Sequence, residues 1–173
     1  MRSVKTLTTA TLLAATAFGG VATASTAHAI TKEDVALNGT YRATSIGDYA
    51  ARNDQYFGEP TVYQVWTISS SCISTQECHG TVRSDQGWSA PLYLLDGEVW
   101  KLKREVPNWE RCEDGTAFSG MQTFSFFPVN DNGGFQLGSP TLSGKDKTVG
   151  PSGACGQSTW LDIAMPLRLD KLS

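Results

Sequence analysis

The chain has 173 residues, with 14 Lys or Arg against 17 Asp or Glu, two histidines, four cysteines and a net charge of −3. Its densest basic cluster, Lys101, Lys103 and Arg104, is too small to release the counterions of a polyanion, which excludes nucleic acid and anionic membrane surfaces as expected partners. After residue 29 no apolar run is long enough to span a membrane.

Arg2 and Lys5 precede an apolar run from Thr6 to Ala24, followed by Ala27-His28-Ala29 as a small-x-small cleavage site. That order predicts a secretory signal peptide over residues 1–29. The most apolar part, Ala10 to Val21, is too short and too rich in Ala, Thr and Gly to hold about 30 Å of hydrocarbon. No cysteine precedes Cys72, so no lipid can be attached at a new N-terminal Cys. The expected product, residues 30–173, is one β-rich domain of 144 residues with 12 basic against 17 acidic side chains. It is expected to be secreted, into the extracellular or cell-envelope space.

Thr31 to Leu37 reads as a helix, with Thr31 and Asp34 as a capping box and Asn38-Gly39 as the stop. Eight strand-like runs follow: 40–45, 62–70, 79–84, 89–95, 98–106, 121–129, 135–142 and 160–169. Turn signals lie between them, among them Gly58-Glu59-Pro60, Asp96-Gly97, Asp114-Gly115 and Asn130 to Gly134. Val62 to Ile68 is apolar on both faces, which predicts a central or covered strand. Cys72 and Cys78 flank the short polar loop Ile73 to Glu77. Of the three pairings four cysteines permit, this favours Cys72–Cys78 with Cys112–Cys155. Zinc ligands usually come in pairs with two to four residues between them, whereas Cys72 and Cys78 have five between them and Cys112 and Cys155 are isolated.

Asp96-Gly97 suits a two-residue type I′ turn, which would set Tyr93 opposite Trp100. Tyr93, Trp100 and Leu102 would then form the inner face, because Lys101 and Lys103 on the other face need water. In the last run Leu161, Ile163, Met165, Leu167 and Leu169 alternate with mostly polar residues, a period of two that covers a core on one side. Pro166 marks an edge or a bulge there. Runs in simple succession predict an all-β antiparallel meander forming a small closed or nearly closed barrel, with a two-sheet β-sandwich as the alternative.

Residues 30–173 contain one histidine, His79, and no Gly-x-Ser-x-Gly motif. A carboxylate pair for glycoside hydrolysis would draw on Glu98, Glu105, Glu110, Glu113 and Asp114. The Asn/Asp/Gly cluster from Asn130 to Gly134 lacks the later bidentate acid of an EF-hand-type loop and reads as a turn. No metal site and no cofactor is expected. Among the five tryptophans, Trp88 and Trp109 lie in polar, turn-like surroundings and are the candidate binding surface.

The spacing Trp66-x5-Cys72-x5-Cys78, with Trp100, Cys112-Glu113-Asp114-Gly115 and Ala154-Cys155-Gly156, resembles a group of small exported actinobacterial proteins of undefined function. That resemblance implies secretion and two disulfides. Gly39-Thr40-Tyr41 and Arg168 in the last strand are similar to the lipocalin Gly-x-Trp and its Arg, which implies a barrel with Arg168 on the aromatic ring. The expected function is a secreted non-enzymatic binding or interaction module for a protein, a glycan or a small apolar ligand. The alternatives are a carboxylate-based hydrolase of envelope polymers and a barrel-type carrier of small apolar ligands.

Overall fold

A computed structural model describes residues 29–173; the signal-peptide expectation lies outside them. A short helix α1 (Lys32–Val35) is followed by β1 (Gly39–Ser45), β2 (Ala51–Arg52), β3 (Gln55–Tyr56), β4 (Val62–Cys72), β5 (Cys78–Ser84), β6 (Ser89–Leu95), β7 (Val99–Arg111), β8 (Ala117–Pro128), β9 (Thr141–Val149) and β10 (Asp162–Lys171). Strands β1 and β4 to β10 pair in sequence order, all antiparallel. β10 returns to β1 with Tyr41 opposite Lys171 and Ser45 opposite Leu167. The ring is thus a closed eight-stranded barrel, which leaves it no exposed edge. β2 and β3 lie outside the ring, with β2 on the start of β10 at Ile163 and Ala164. Pro166, which cannot donate to a ladder, falls where β10 passes from β2 to β1.

Alternation builds the interior. Trp66, Leu92, Leu94, Leu102, Phe124, Phe126, Leu142 and Leu169 are each at most 1% exposed, so side chains fill the middle of the barrel. Trp66 meets Phe124 edge to face, with centroids 4.9 Å apart. At Gly144 an added Cβ would lie 1.9 Å from the Ser125 carbonyl oxygen, so close approach of β9 to β8 requires glycine there.

One end of the barrel is closed. Val35 of α1 is buried, and Leu37 and Leu137 pack on the same core. Ser70 fixes that segment to β4: its hydroxyl receives the Leu37 N–H and donates to the Leu37 carbonyl, both at 2.8 Å. The space left between helix and core is about 80 Å³. The Cys72–Cys78 disulfide joins β4 to β5, and the Cys112–Cys155 disulfide ties the β7–β8 tip to the 150–161 loop.

Several expectations are corrected. The helix stops at Val35 instead of Leu37, because Ala36 is already extended (ψ 132°). The 96–98 turn holds one residue more than expected, so Leu95 pairs with Val99 and Leu94, not Tyr93, faces Trp100. This register turns Leu92, Leu94, Trp100 and Leu102 inward together and leaves Tyr93 half-buried on the outer face. A one-residue slip exchanges the faces of a strand, and burial of four large apolar side chains selects this alternative. The run 135–142 is mostly loop, and the strand after β8 is β9. β4 is central, paired with β1 and β5 on its two edges, and among the described residues its outer face is uncovered, with Tyr63 and Val65 66% and 38% exposed. Arg168 turns outward to Asp170, 2.8 Å away, and Lys171 rather than Arg168 lies over the Tyr41 ring.

Candidate functional site

The end of the barrel opposite α1 stays open above polar residues. The same inward alternation that places Trp66, Leu102, Phe124 and Leu167 in the core brings Ser45, Gln64, Arg104, Gln122, Asp146 and Thr148 to this end. All of them but Ser45, which bonds Asp146, form the floor of a bowl of about 280 Å³. Its rim includes Glu59, Val62, Val106, Trp109, Glu110, Ile163 and Met165.

Two hydrogen-bonded units make up the floor. In the first, Asp146 is 2% exposed. It accepts from the Ser45 hydroxyl at 2.8 Å and from Gln122 Nε2 at 2.9 and 3.1 Å. Gln122 Oε1 in turn accepts from Arg104 Nε at 2.7 Å. A guanidinium only donates and an ionised carboxylate only accepts, so the Gln122 amide has one orientation. Among the described residues Arg104 and Asp146 make no direct ion pair; the amide stands between them. Burial pushes the Asp146 carboxyl above its ordinary range, opposed by the bonds from Ser45 and Gln122 and the charge of Arg104. Burial also holds the Arg104 guanidinium below its ordinary value, and the Asp146 charge offsets part of this.

The second unit centres on Gln64, 7% exposed. Its Oε1 accepts from the Trp66 indole at 3.0 Å, the Trp88 indole at 3.2 Å and the Ser84 hydroxyl at 2.8 Å. Indoles only donate, so the atom they meet is the amide oxygen and Nε2 points away from them. Trp88 joins the two units. Its ring lies parallel to Phe124, with centroids 6.2 Å apart, and the Arg104 guanidinium sits 4.5 Å from its centre.

Trp88 is therefore half-buried against the core rather than a protruding anchor. Trp109 is likewise half-buried, edge-on to Phe118 with centroids 5.9 Å apart, and an added Cβ at Gly120 would come within 2.6 Å of its ring. The bulge between Val106 and Glu110 in β7 turns Trp109 and Glu110 to the rim. Of the proposed interior residues, Trp100 and Leu102 lie in the core at 2% and 0% exposure, and Tyr93 lies outside it.

Among the five candidate acids, Glu110 alone lines the bowl. Glu98 belongs to the turn at the closed end, Glu105 is exposed on the outer face of β7, and Glu113 and Asp114 sit at the hairpin tip. Asp114 serves the turn: Thr116 donates its N–H and hydroxyl to the carboxylate, which holds that carboxyl below its ordinary value. Asn130 similarly uses its side-chain oxygen to accept the N–H groups of Asn132 and Gly134. His79 is exposed and bonds Glu77 at 3.1 Å, away from the bowl. The second acid at the rim, Glu59, is neutralised by Arg52 at 2.6 Å.

Sequence reading missed Gln64, Gln122 and Asp146. Gln64 lies in a run that reads as apolar on both faces, and Asp146 falls between the predicted strands 135–142 and 160–169. The available signal was phase: Leu142, Gly144, Asp146 and Thr148 share one parity.

No protein-family model matches the chain, and no curated protein matches it in sequence. Among solved structures, the monomer form of the M. tuberculosis PknI sensor domain matches it with a TM-score of 0.55 at 17% identity, covering 79% of this chain and 88% of that chain. The likeness is one of fold.

Proposed function

We propose that this protein is a secreted, disulfide-stabilised, non-enzymatic binding module whose ligand enters the open end of the barrel. The observation that carries the reading is the contrast between the two ends. One is shut by α1, Leu37 and Leu137, while the other opens on a bowl floored by buried hydrogen-bonding side chains. A barrel without a binding role would gain stability by closing both ends with apolar groups, since buried polar groups cost free energy unless fully bonded. Two disulfides fit an oxidising compartment, and a sensor domain as structural neighbour fits a module that binds. The filled interior argues against carriage of an apolar ligand within the barrel. Both oxygens of Asp146 are engaged in bonds inside the wall, which suits a fixed dipole better than a hydrolytic acid.

Thermal-shift screening of polar small molecules against residues 30–173 tests this. Hits that stabilise the parent protein are expected to lose their effect in Arg104→Ala. Hits that stabilise both proteins equally would place the site elsewhere.

A further inference from the structure

The hydrogen-bond inventory of the bowl is unbalanced. The amide and aspartate acceptors of its floor are engaged: Gln64 Oε1 holds three donors, Gln122 Oε1 holds Arg104 Nε, and Asp146 holds Ser45 and Gln122. Two sets of nitrogen donors are not. Gln64 Nε2 makes no hydrogen bond among the described residues, although the side chain is more than nine-tenths buried and lines the cavity. The two terminal nitrogens of Arg104 also lack a partner among the described residues, and this side chain lines the same cavity. Gln122 and Trp88 hold the guanidinium in place from one edge and one face, which leaves its terminal nitrogens as a prearranged donor fork.

Resting on the reading of the open end as a ligand site, we propose that the bowl recognises the carboxylate group of a small monocarboxylate, received by the Arg104 fork and Gln64 Nε2. A guanidinium fork matches the two oxygens of a carboxylate, and charge-assisted bonds of this kind are about twice as strong as neutral ones. A negatively charged ligand also relieves a cation that burial disfavours. Asp146 does not compete for the fork, because Gln122 stands between them. Glu110 at the rim makes no ion pair among the described residues and adds a negative charge. It therefore disfavours a ligand carrying a second anionic group.

The test is NMR titration of labelled residues 30–173 at constant ionic strength with sodium acetate, lactate and benzoate. Methyl glucoside serves as a neutral polyol and methylammonium chloride as a cation. The carboxylates are expected to move the Gln64 amide, Arg104 Nε–H and Trp88 indole signals saturably. Arg104→Lys, which keeps the charge without the fork, and Gln64→Glu, which keeps the accepting oxygen without the donors, should each weaken binding at least tenfold. Each variant's remaining signals report whether it has folded. Equal binding by a folded variant would overturn the proposal. So would movement of these signals by the glucoside or methylammonium alone, an outcome that leaves the open end as a binding site. If no probe moves them while the thermal-shift screen yields Arg104-dependent hits, the carboxylate assignment falls by itself. If both experiments are silent, the open-end reading falls with it.

Discussion

Asp146 carries the clearest pH signature in the molecule. Its carboxyl is raised in the folded chain, so between the ordinary carboxylate range and that raised value the folded state holds a proton that the unfolded state has released. Stability contributed by this group is present at lower pH and declines as pH rises through that window. The difference in Tm between the parent and Asp146→Asn should therefore change with pH in that sense, the parent losing ground as pH increases. A pH-independent difference would mean that Asp146 titrates normally. Trp100 gives the packing counterpart. It is 2% exposed at the closed end of a filled interior, and Trp100→Ala should cost ~3–5 kcal/mol in denaturant melts. A much smaller loss would indicate a cavity already present. Trp100 was legible because aliphatic and aromatic neighbours alternate around it. Gln64 was not, because its partners beyond Trp66 are Ser84 at the end of β5 and Trp88 in the β5–β6 turn, 20 and 24 residues away, a condition that no local pattern encodes.

At the level of elements, the two disulfides close loops of different size, with sequence separations of 6 and 43. Chain entropy assigns ~2.4 kcal/mol to the smaller loop and ~4 kcal/mol to the larger. Replacing Cys112 and Cys155 by Ala should thus lower stability ~1.6 kcal/mol more than replacing Cys72 and Cys78. Equal or reversed losses would show that the short bridge holds more than its own loop. Thiol titration of the unfolded, unreduced protein should find close to zero equivalents, since all four cysteines are paired; two or more would contradict the pairing. β10 could be read directly because five apolar residues keep one parity. β9 was hidden by the opposite circumstance: its inward positions are Leu142, Gly144, Asp146 and Thr148, so the alternation is one of burial without hydrophobicity. The β6–β7 register was misjudged for a different reason. Asp96-Gly97 does adopt positive φ at both residues, but the faces of the flanking strands, not the turn dipeptide, decided how many residues the loop holds.

The whole molecule is a barrel with unlike ends, and that asymmetry is what the functional reading rests on. The all-β meander and its closure followed from turn spacing and short β runs. Which end would stay open did not, because it depends on the docking of α1 and of Leu137 from the 129–140 loop. The loops at the open end are the ones anchored by Cys112–Cys155, by the ion pair between Lys147 and Asp162, and by Arg52 with Glu59, so the bowl has a braced rim. Paramagnetic relaxation by a neutral gadolinium chelate compares the two ends in a single experiment. The indole N–H signal of Trp109 at the rim of the bowl should relax strongly with added chelate, while that of Trp100 beneath the closed end stays protected. Relaxation of Trp100 as strong as that of Trp109 would contradict an account in which one end of the barrel is shut and the other receives a ligand.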